Sequence, residues 1–213
     1  MNLKYSYWYF KSALPEKFCN DLVKYGNEKT EEIALTGGFQ EKIEKNNSLS
    51  DDELKDLKKK RDSNIVWLSE PWIYNEIHPY IHQANKSAGW NFQWDYSEAC
   101  QFTKYKQDQY YGWHCDSWDG PYVDIKNKNY NGKIRKLSVT CVLSKPEDYE
   151  GGELEFDFGA DEPDKKHNVR PCTEIKTQGS LVVFPSFVRH RVKPVTKGTR
   201  YSLVIWSLGQ PYK

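Results

Sequence analysis

The apolar side chains of this chain recur at helical spacing in the front half and alternate in the back half. From Leu14 to Tyr25, the residues Phe18, Leu22 and Tyr25 fall on one helical stripe, and Gly26 follows as a stop. Asn27 to Asn47 is polar and weakly patterned around Gly37-Gly38, which predicts a loop. Ser50-Asp51-Asp52-Glu53 has the form of a capping box, with Leu54 and Leu57 as a narrow apolar stripe behind it. The basic run Lys58 to Arg61 suits the solvated C-terminal end of that helix. A third helix is predicted from about Pro71 to Lys86 through Trp72, Ile73, Ile77, Tyr80, Ile81 and Ala84. Ser69 is its expected cap, Gly89 its stop, and Pro79 a kink.

After Trp90 the period shortens towards two. Trp94 to Phe102, Leu137 to Leu143, Glu153 to Phe158, Ser180 to Phe184 and Tyr201 to Ser207 read as strands. Turn signals separate them at Asp119-Gly120-Pro121, Asn131-Gly132, Gly151-Gly152, Gly179 and Lys197-Gly198. Short strands at this spacing predict a sandwich or jelly roll, with Phe102, Phe156 and Phe184 in its core. The expectation is an α+β, mainly β, single domain over residues 1–213. Residues 1–90 would be mainly helical support and 91–213 the jelly-roll core.

Composition narrows the class. The 213 residues hold 8 Trp, 15 Tyr and 9 Phe but one Met, so aromatic rings supply much of the burial. The 31 basic and 30 acidic residues nearly cancel, which weighs against nucleic acid as a partner. No apolar run approaches the roughly 20 residues that span a bilayer, and Met1 to Phe10 lacks a secretory apolar core. Five cysteines, odd in number and without a CxxC pair, speak against a disulfide scaffold or structural zinc. A cytoplasmic, non-membrane protein is the expectation.

The candidate chemistry begins at Trp113-His114-Cys115-Asp116. On extended chain His114 and Asp116 share a face, and Cys115 points away as an inert strand residue. An imidazole nitrogen and a carboxylate oxygen suit a borderline divalent metal. His190 offers a third donor, whereas His167 sits in a polar loop-like stretch. Two histidines and one carboxylate would form a facial triad that leaves positions open on iron. Arg200 follows His190 across a turn, and a guanidinium is the natural partner of a carboxylate. His78 and His82 share a helix face, but Pro79 and the apolar flanks favour simple packing.

Several elements in order resemble the iron(II)/2-oxoglutarate-dependent oxygenases, and most of all the prolyl 4-hydroxylase-like branch. They are His114-x-Asp116, Gly151-Gly152-Glu153-Leu154, Phe184-Pro185-Ser186, His190-x-Val192-x-Pro194-Val195 and Gly198-x-Arg200. The resemblance runs from Cys100 to Ser207. It implies a double-stranded β-helix in which His114, Asp116 and His190 bind Fe(II). It implies that Arg200 pairs with the distal carboxylate of 2-oxoglutarate and that Tyr105 donates to the same group. Tyr111 is placed near the metal and substrate mouth, and Trp206 near the substrate. The implied reaction consumes O2 and 2-oxoglutarate, releases succinate, and hydroxylates a prolyl residue of a peptide or protein, with ascorbate as accessory reductant.

Ser117 to Lys133 carries Trp118, Tyr122 and Tyr130 directly after the first two expected ligands. It reads either as a disordered hairpin loop or as a lid whose rings could stack on a proline. Other readings are a hydroxylase of a free amino acid, small metabolite or nucleobase, or a catalytically silent jelly-roll binding module. A binding module would need neither the triad nor Arg200.

Overall fold

The computed structural model describes residues 3–39, 42–43, 48–117, 120–123, 127–159 and 168–212. Its helices are α1 (Glu16–Asn27), α2 (Asp51–Lys60) and α3 (Pro71–Ser87). The capping box starts α2: the Glu53 amide donates to Ser50 Oγ, and the Ser50 amide donates back to the Glu53 carboxylate. Three acids in its first turn and three lysines in its last complement the helix dipole. Glu70, not Ser69, occupies the cap position of α3. Pro71 is its first helical residue, where a missing N–H costs nothing. Pro79 lies inside α3, at a cost of about 3 kcal/mol. Ile73, Ile77 and Ile81 are fully buried, each worth roughly 1.5–3 kcal/mol, so the helix runs on through the proline.

The strands are β1 (Trp8–Phe10), β2 (Glu32–Ile33), β3 (Arg61–Asp62), β4 (Asn64–Leu68), β5 (Tyr96–Ser97), β6 (Cys100–Tyr105), β7 (Tyr110–His114) and β8 (Ile134–Val142). The rest are β9 (Tyr149–Gly151), β10 (Leu154–Asp157), β11 (Val169–Pro171), β12 (Leu181–Pro185), β13 (Arg189–Val192), β14 (Val195–Gly198) and β15 (Arg200–Gly209). A large antiparallel sheet has the order β1-β12-β8-β15-β6-β4-β2, with β5 also on β15. A smaller one has the order β11-β10-β13-β7-β3, and β14 pairs with β9. Among the described residues none of the sheets closes on itself. The front quarter-to-half of the chain is less purely helical than its pattern predicts, because β1 to β4 all hydrogen-bond into the two main sheets. Short strands of two to five residues leave too few alternations to register as a period.

Alternation in the large sheet sorts its residues between two cores. Leu137, Val139, Cys141, Leu181, Val183, Leu203 and Ile205 face α1 and α3. Val142, Val182 and Phe184 face Leu154, Phe156 and Val192 of the smaller sheet. The result is helices on one side of the large sheet and the smaller sheet on the other. Phe156 and Phe184 lie in the inter-sheet core as expected, with ring centres 5.0 Å apart, whereas Phe102 belongs to the helix-side core. Trp72 packs edge-on to Phe18 and Tyr25 of α1 rather than on the sheet. Four of the five cysteines are buried, and Cys115 is exposed. Among the described residues, no helix is long and apolar enough to cross a membrane.

Gly26 is not the stop that its type suggests. It sits buried within α1, and a Cβ there would lie 2.6 Å from the Phe102 ring. Alanine would favour the helix but cannot fit unless α1 lifts from the sheet. Gly26→Ala is therefore expected to destabilise the protein by roughly 1–3 kcal/mol, read as a lower urea midpoint. An unchanged or higher midpoint would contradict this contact.

Candidate functional site

Antiparallel pairing of β7 with β13 places His114 directly opposite His190. The ring centres lie 4.1 Å apart. Each Nδ1 is 2.9 Å from a carbonyl two residues back, His114 to Gly112 and His190 to Val188. These bonds fix each ring's orientation and leave both Nε2 atoms for one common point. Asp116 completes the group just beyond the end of β7. Its oxygens are 3.6 Å from His114 Nε2 and 3.6 Å from His190 Nε2. The three donor atoms lie within 4.8 Å of one another.

Asp116 is off the strand, yet its direction is fixed. The amides of Asp116 and Ser117 both donate to the Ser186 carbonyl, at 2.9 and 3.0 Å. Ser186 is in turn held by Ser138 of the large sheet, Oγ to Oγ at 2.9 Å. The Phe184-Pro185-Ser186 run thus tethers the carboxylate. Cys115 turns away, its thiol 3.3 Å from the Phe187 carbonyl. Burial pushes the Asp116 carboxyl upward, but His190, His114 and Arg135 outweigh it and hold the group well below the usual carboxylate range. Burial and the neighbouring His114 bring His190 down to about 4, against the pull of Asp116. A carboxylate beside a neutral imidazole is the protonation state a metal requires. Two imidazoles and one carboxylate, oriented by backbone carbonyls, fit a divalent iron.

His114 and Asp116 open onto a cavity of about 610 Å³. Its walls come from Thr36-Gly37, Arg61, Trp67, Glu98, Tyr111, Tyr122, Tyr130, Arg135 and Trp206. The expected Tyr111 and Trp206 are therefore both at the site. Tyr111 stacks on His114 at 3.5 Å between ring centres, and burial pushes its hydroxyl up to about 12. Trp206 lies under the Arg135 guanidinium, 3.9 Å from its ring centre.

Three wall residues escape sequence reasoning. Arg135 grips Glu98 through two bonds of 2.7 and 2.6 Å, and both side chains are nearly buried. Burial would lower the Arg135 guanidinium, but Glu98 raises it further, so it stays charged. Arg61 does not belong to the solvated helix end. It leaves α2 as the first residue of β3 and is 4% exposed. A run of three lysines before it conceals that change of environment.

Arg200 and Tyr105 lie side by side. They are register partners on β15 and β6, with the guanidinium 5.6 Å from the tyrosine ring centre. Arg200 is 2% exposed and donates to Ser202 Oγ at 3.2 Å. Gly152 has a positive φ of +65°, and a Cβ there would come within 2.8 Å of Arg200 Cδ, so Gly152 makes room for the arginine. Arg200 lines a separate cavity of about 400 Å³, with Val142, Tyr149 and Leu154.

The expected lid is tied down at its base. Tyr122 donates to Glu98 at 3.0 Å, exchanges backbone bonds with Gly132 and Lys133, and meets Tyr130 edge-on. Tyr130 in turn packs on Tyr96. Trp118 lies outside the described residues, as does His167. His78 contacts Ser97 Oγ at 3.1 Å and His82 stacks on Trp94, which makes that pair part of the packing.

Comparison with known proteins agrees with this geometry. The family model for the 2OG-Fe(II) oxygenase superfamily matches residues 100–208. A PKHD-type hydroxylase of Alteromonas mediterranea is 34% identical over 106 residues, 49% of this chain and 41% of that protein. The PKHD-type hydroxylase YbiX of Escherichia coli is 35% identical over 108 residues, 49% of this chain and 40% of that protein. The match thus spans about two fifths of the length of these relatives. Among solved structures, the 2OG complex of a viral collagen prolyl hydroxylase from Paramecium Bursaria Chlorella virus-1 has a TM-score of 0.61 at 18% identity, covering 97% of each chain. A Pseudomonas putida prolyl-4-hydroxylase has a TM-score of 0.64 at 19% identity, covering 96% of this chain and 93% of its own. A Trichoplax adhaerens prolyl hydroxylase with a hypoxia inducible factor peptide has a TM-score of 0.59 at 18% identity, covering 96% of this chain and 84% of its own. At these identities the structures establish a shared fold. The family match takes in half of the chain and all three triad residues, so the chain belongs to the 2OG-Fe(II) oxygenase superfamily.

Proposed function

We propose that this protein is an iron(II)- and 2-oxoglutarate-dependent dioxygenase that hydroxylates a prolyl residue in a peptide or protein. The carrying observation is the triad of His114, Asp116 and His190, two of whose members, His114 and Asp116, line a cavity with several aromatic walls. Iron(II), 2-oxoglutarate and O2 together would supply the oxidising power to hydroxylate an unactivated C–H bond, with succinate and carbon dioxide as co-products. The residues of the chain do the rest. The carbonyls of Gly112 and Val188 aim the two imidazoles, and Ser186 aims the carboxylate. Arg200 would take the distal carboxylate of 2-oxoglutarate, with Tyr105 beside it as a second donor. Tyr111 covers His114 and shields it from water. Ascorbate fits this reading as an accessory reductant.

A peptide suits the cavity better than a small metabolite does. Its walls come from separate stretches around Thr36, Trp67, Tyr122 and Trp206, with aromatic rings contributed by several of them. Trp67 is 45% exposed beside Trp206, with ring centres 6.2 Å apart, an arrangement suited to stacking on a proline and its neighbours. The solved relatives named above include prolyl hydroxylases, one of them with a peptide. Within this reading the two facing sheets are the halves of a double-stranded β-helix, and the chain acts as one oxygenase unit.

Three outcomes test it. Calorimetry with Fe(II) under anaerobic conditions should show one site per chain, and His190→Ala should weaken it by at least about 100-fold. Retained binding in that variant would remove His190 from the site. With a proline-containing peptide, the protein should form succinate and add one oxygen atom to the proline, as read by mass spectrometry. Arg200→Ala should raise the 2-oxoglutarate requirement about 10- to 100-fold while Fe(II) binding persists. An unchanged requirement would take Arg200 out of the cosubstrate pocket.

A further inference from the structure

Two buried donors on the wall of the triad's cavity have no hydrogen-bond partner among the described residues. They are Nη2 of Arg61 and Nε1 of Trp206. Arg61 is the more telling of the two because it carries a charge. Its Nε donates to Ser63 Oγ at 2.9 Å and its Nη1 to Gln101 Oε1 at 3.4 Å, both neutral acceptors. Its guanidinium lies 4.4 Å from the centre of the Tyr111 ring, whose other neighbour is His114. The β3–β7 register, Arg61 opposite Tyr111, fixes that position.

Taking a guanidinium out of water is costly unless an anion answers it. The carboxylates on the same wall are already engaged. Glu98 is held by Arg135, and Asp116 stands between the two histidines. Past Thr36 and Gly37 the cavity adjoins a second one of about 420 Å³, lined by Lys42 and Lys60. Lys42 is paired with Glu53 at 2.7 Å, whereas Lys60 lies over the Phe39 ring. The Arg61 side of the site therefore carries positive charge that no described carboxylate answers. An arginine kept only for packing would be replaced at less cost by an apolar side chain of similar volume.

We propose that Arg61 recognises a carboxylate on the substrate, close to the carbon that is hydroxylated. The proposal rests on the hydroxylase reading and sharpens it to an acidic substrate. The carboxylate can come from an Asp or Glu beside the target residue, or from the main-chain carboxylate of a C-terminal or free amino acid. A planar guanidinium binds either through two parallel hydrogen bonds. Trp206 Nε1 then serves a neutral acceptor of the same substrate, such as a backbone carbonyl.

The test compares matched probes. One pair is a peptide with Asp or Asn next to a single proline. A second pair is a peptide ending in proline as free acid or as amide, with free L-proline alongside. Binding is measured by calorimetry on the metal-free protein, and turnover by succinate formation with Fe(II), 2-oxoglutarate and O2. The acidic member of at least one pair should bind about tenfold or more tightly than its neutral partner. Arg61→Gln should bring that ratio near one, and Arg61→Lys should restore part of it. The Asp pair responding alone assigns the side-chain source; the C-terminal pair or free proline responding assigns the main-chain source. Equal binding within every pair in the wild type overturns the proposal, and so does a ratio retained in Arg61→Gln. Should Arg61→Gln fail to fold, the wild-type ratio and its reduction in Arg61→Lys decide. Absence of succinate with every probe would sink the hydroxylase reading, while the binding ratio still reports on Arg61.

Discussion

The pairing of β7 with β13 is the constraint on which the site depends. It brings His114 and His190 together from distant parts of the chain without spending a loop on either. Side chains alternate across a strand, so a slip of one residue would send one imidazole to the opposite face. The slip is opposed from the core side. Phe184 meets the His190 ring edge-on at 4.7 Å, and Phe156 is the register partner of His190 on β10. Register, core packing and ligand direction are thus one interaction seen three ways. The carbonyl bonds to each Nδ1 add the last degree of freedom, ring rotation.

The third donor obeys a different logic. Asp116 stands where the strand has ended, so the backbone around it must be held from outside. Ser186 does this across the sheets, and Ser138 steadies Ser186. The carboxylate is therefore positioned by the large sheet while both imidazoles belong to the smaller one. The Glu98–Arg135 pair extends this link, since Arg135 of β8 also donates to the Asp116 carbonyl at 3.4 Å. One ion pair joins the metal-site backbone, the Trp206 ring and the base of the Tyr122 excursion.

What could be read from the sequence follows from range. The triad, Arg200 and Tyr105 stand in motifs whose order and spacing survive as linear text. So do the capping box of α2 and the isoleucine stripe of α3, because caps and helical periods are local. The strand at Asn64–Leu68 was hidden by its brevity and by the helices on either side. Gly26 misled because a glycine at a helix end usually terminates it, and only the Phe102 ring explains its place within α1. Arg61, Glu98 and Arg135 were illegible for a stronger reason. A charged residue looks solvated until its three-dimensional partner is known, and their partners lie 37 or 40 residues away. Chain texture marked residues 1–90 as a support, yet four of its strands complete the sheets.

The place of β15 has a consequence for assembly. It lies at the centre of the large sheet, between β8 and β6, and it is the last of that sheet's strands along the chain. On a growing polypeptide, β6 and β8 must wait with their facing edges unpaired until Arg200–Gly209 has emerged. Long-range pairings of this kind are slow to form and leave edges open to wrong partners meanwhile. The same strand carries Arg200 and Trp206, so a wall residue of each of the two cavities arrives with it. A chain stopped short of it would lack its central sheet contact, and with it both Arg200 and Trp206.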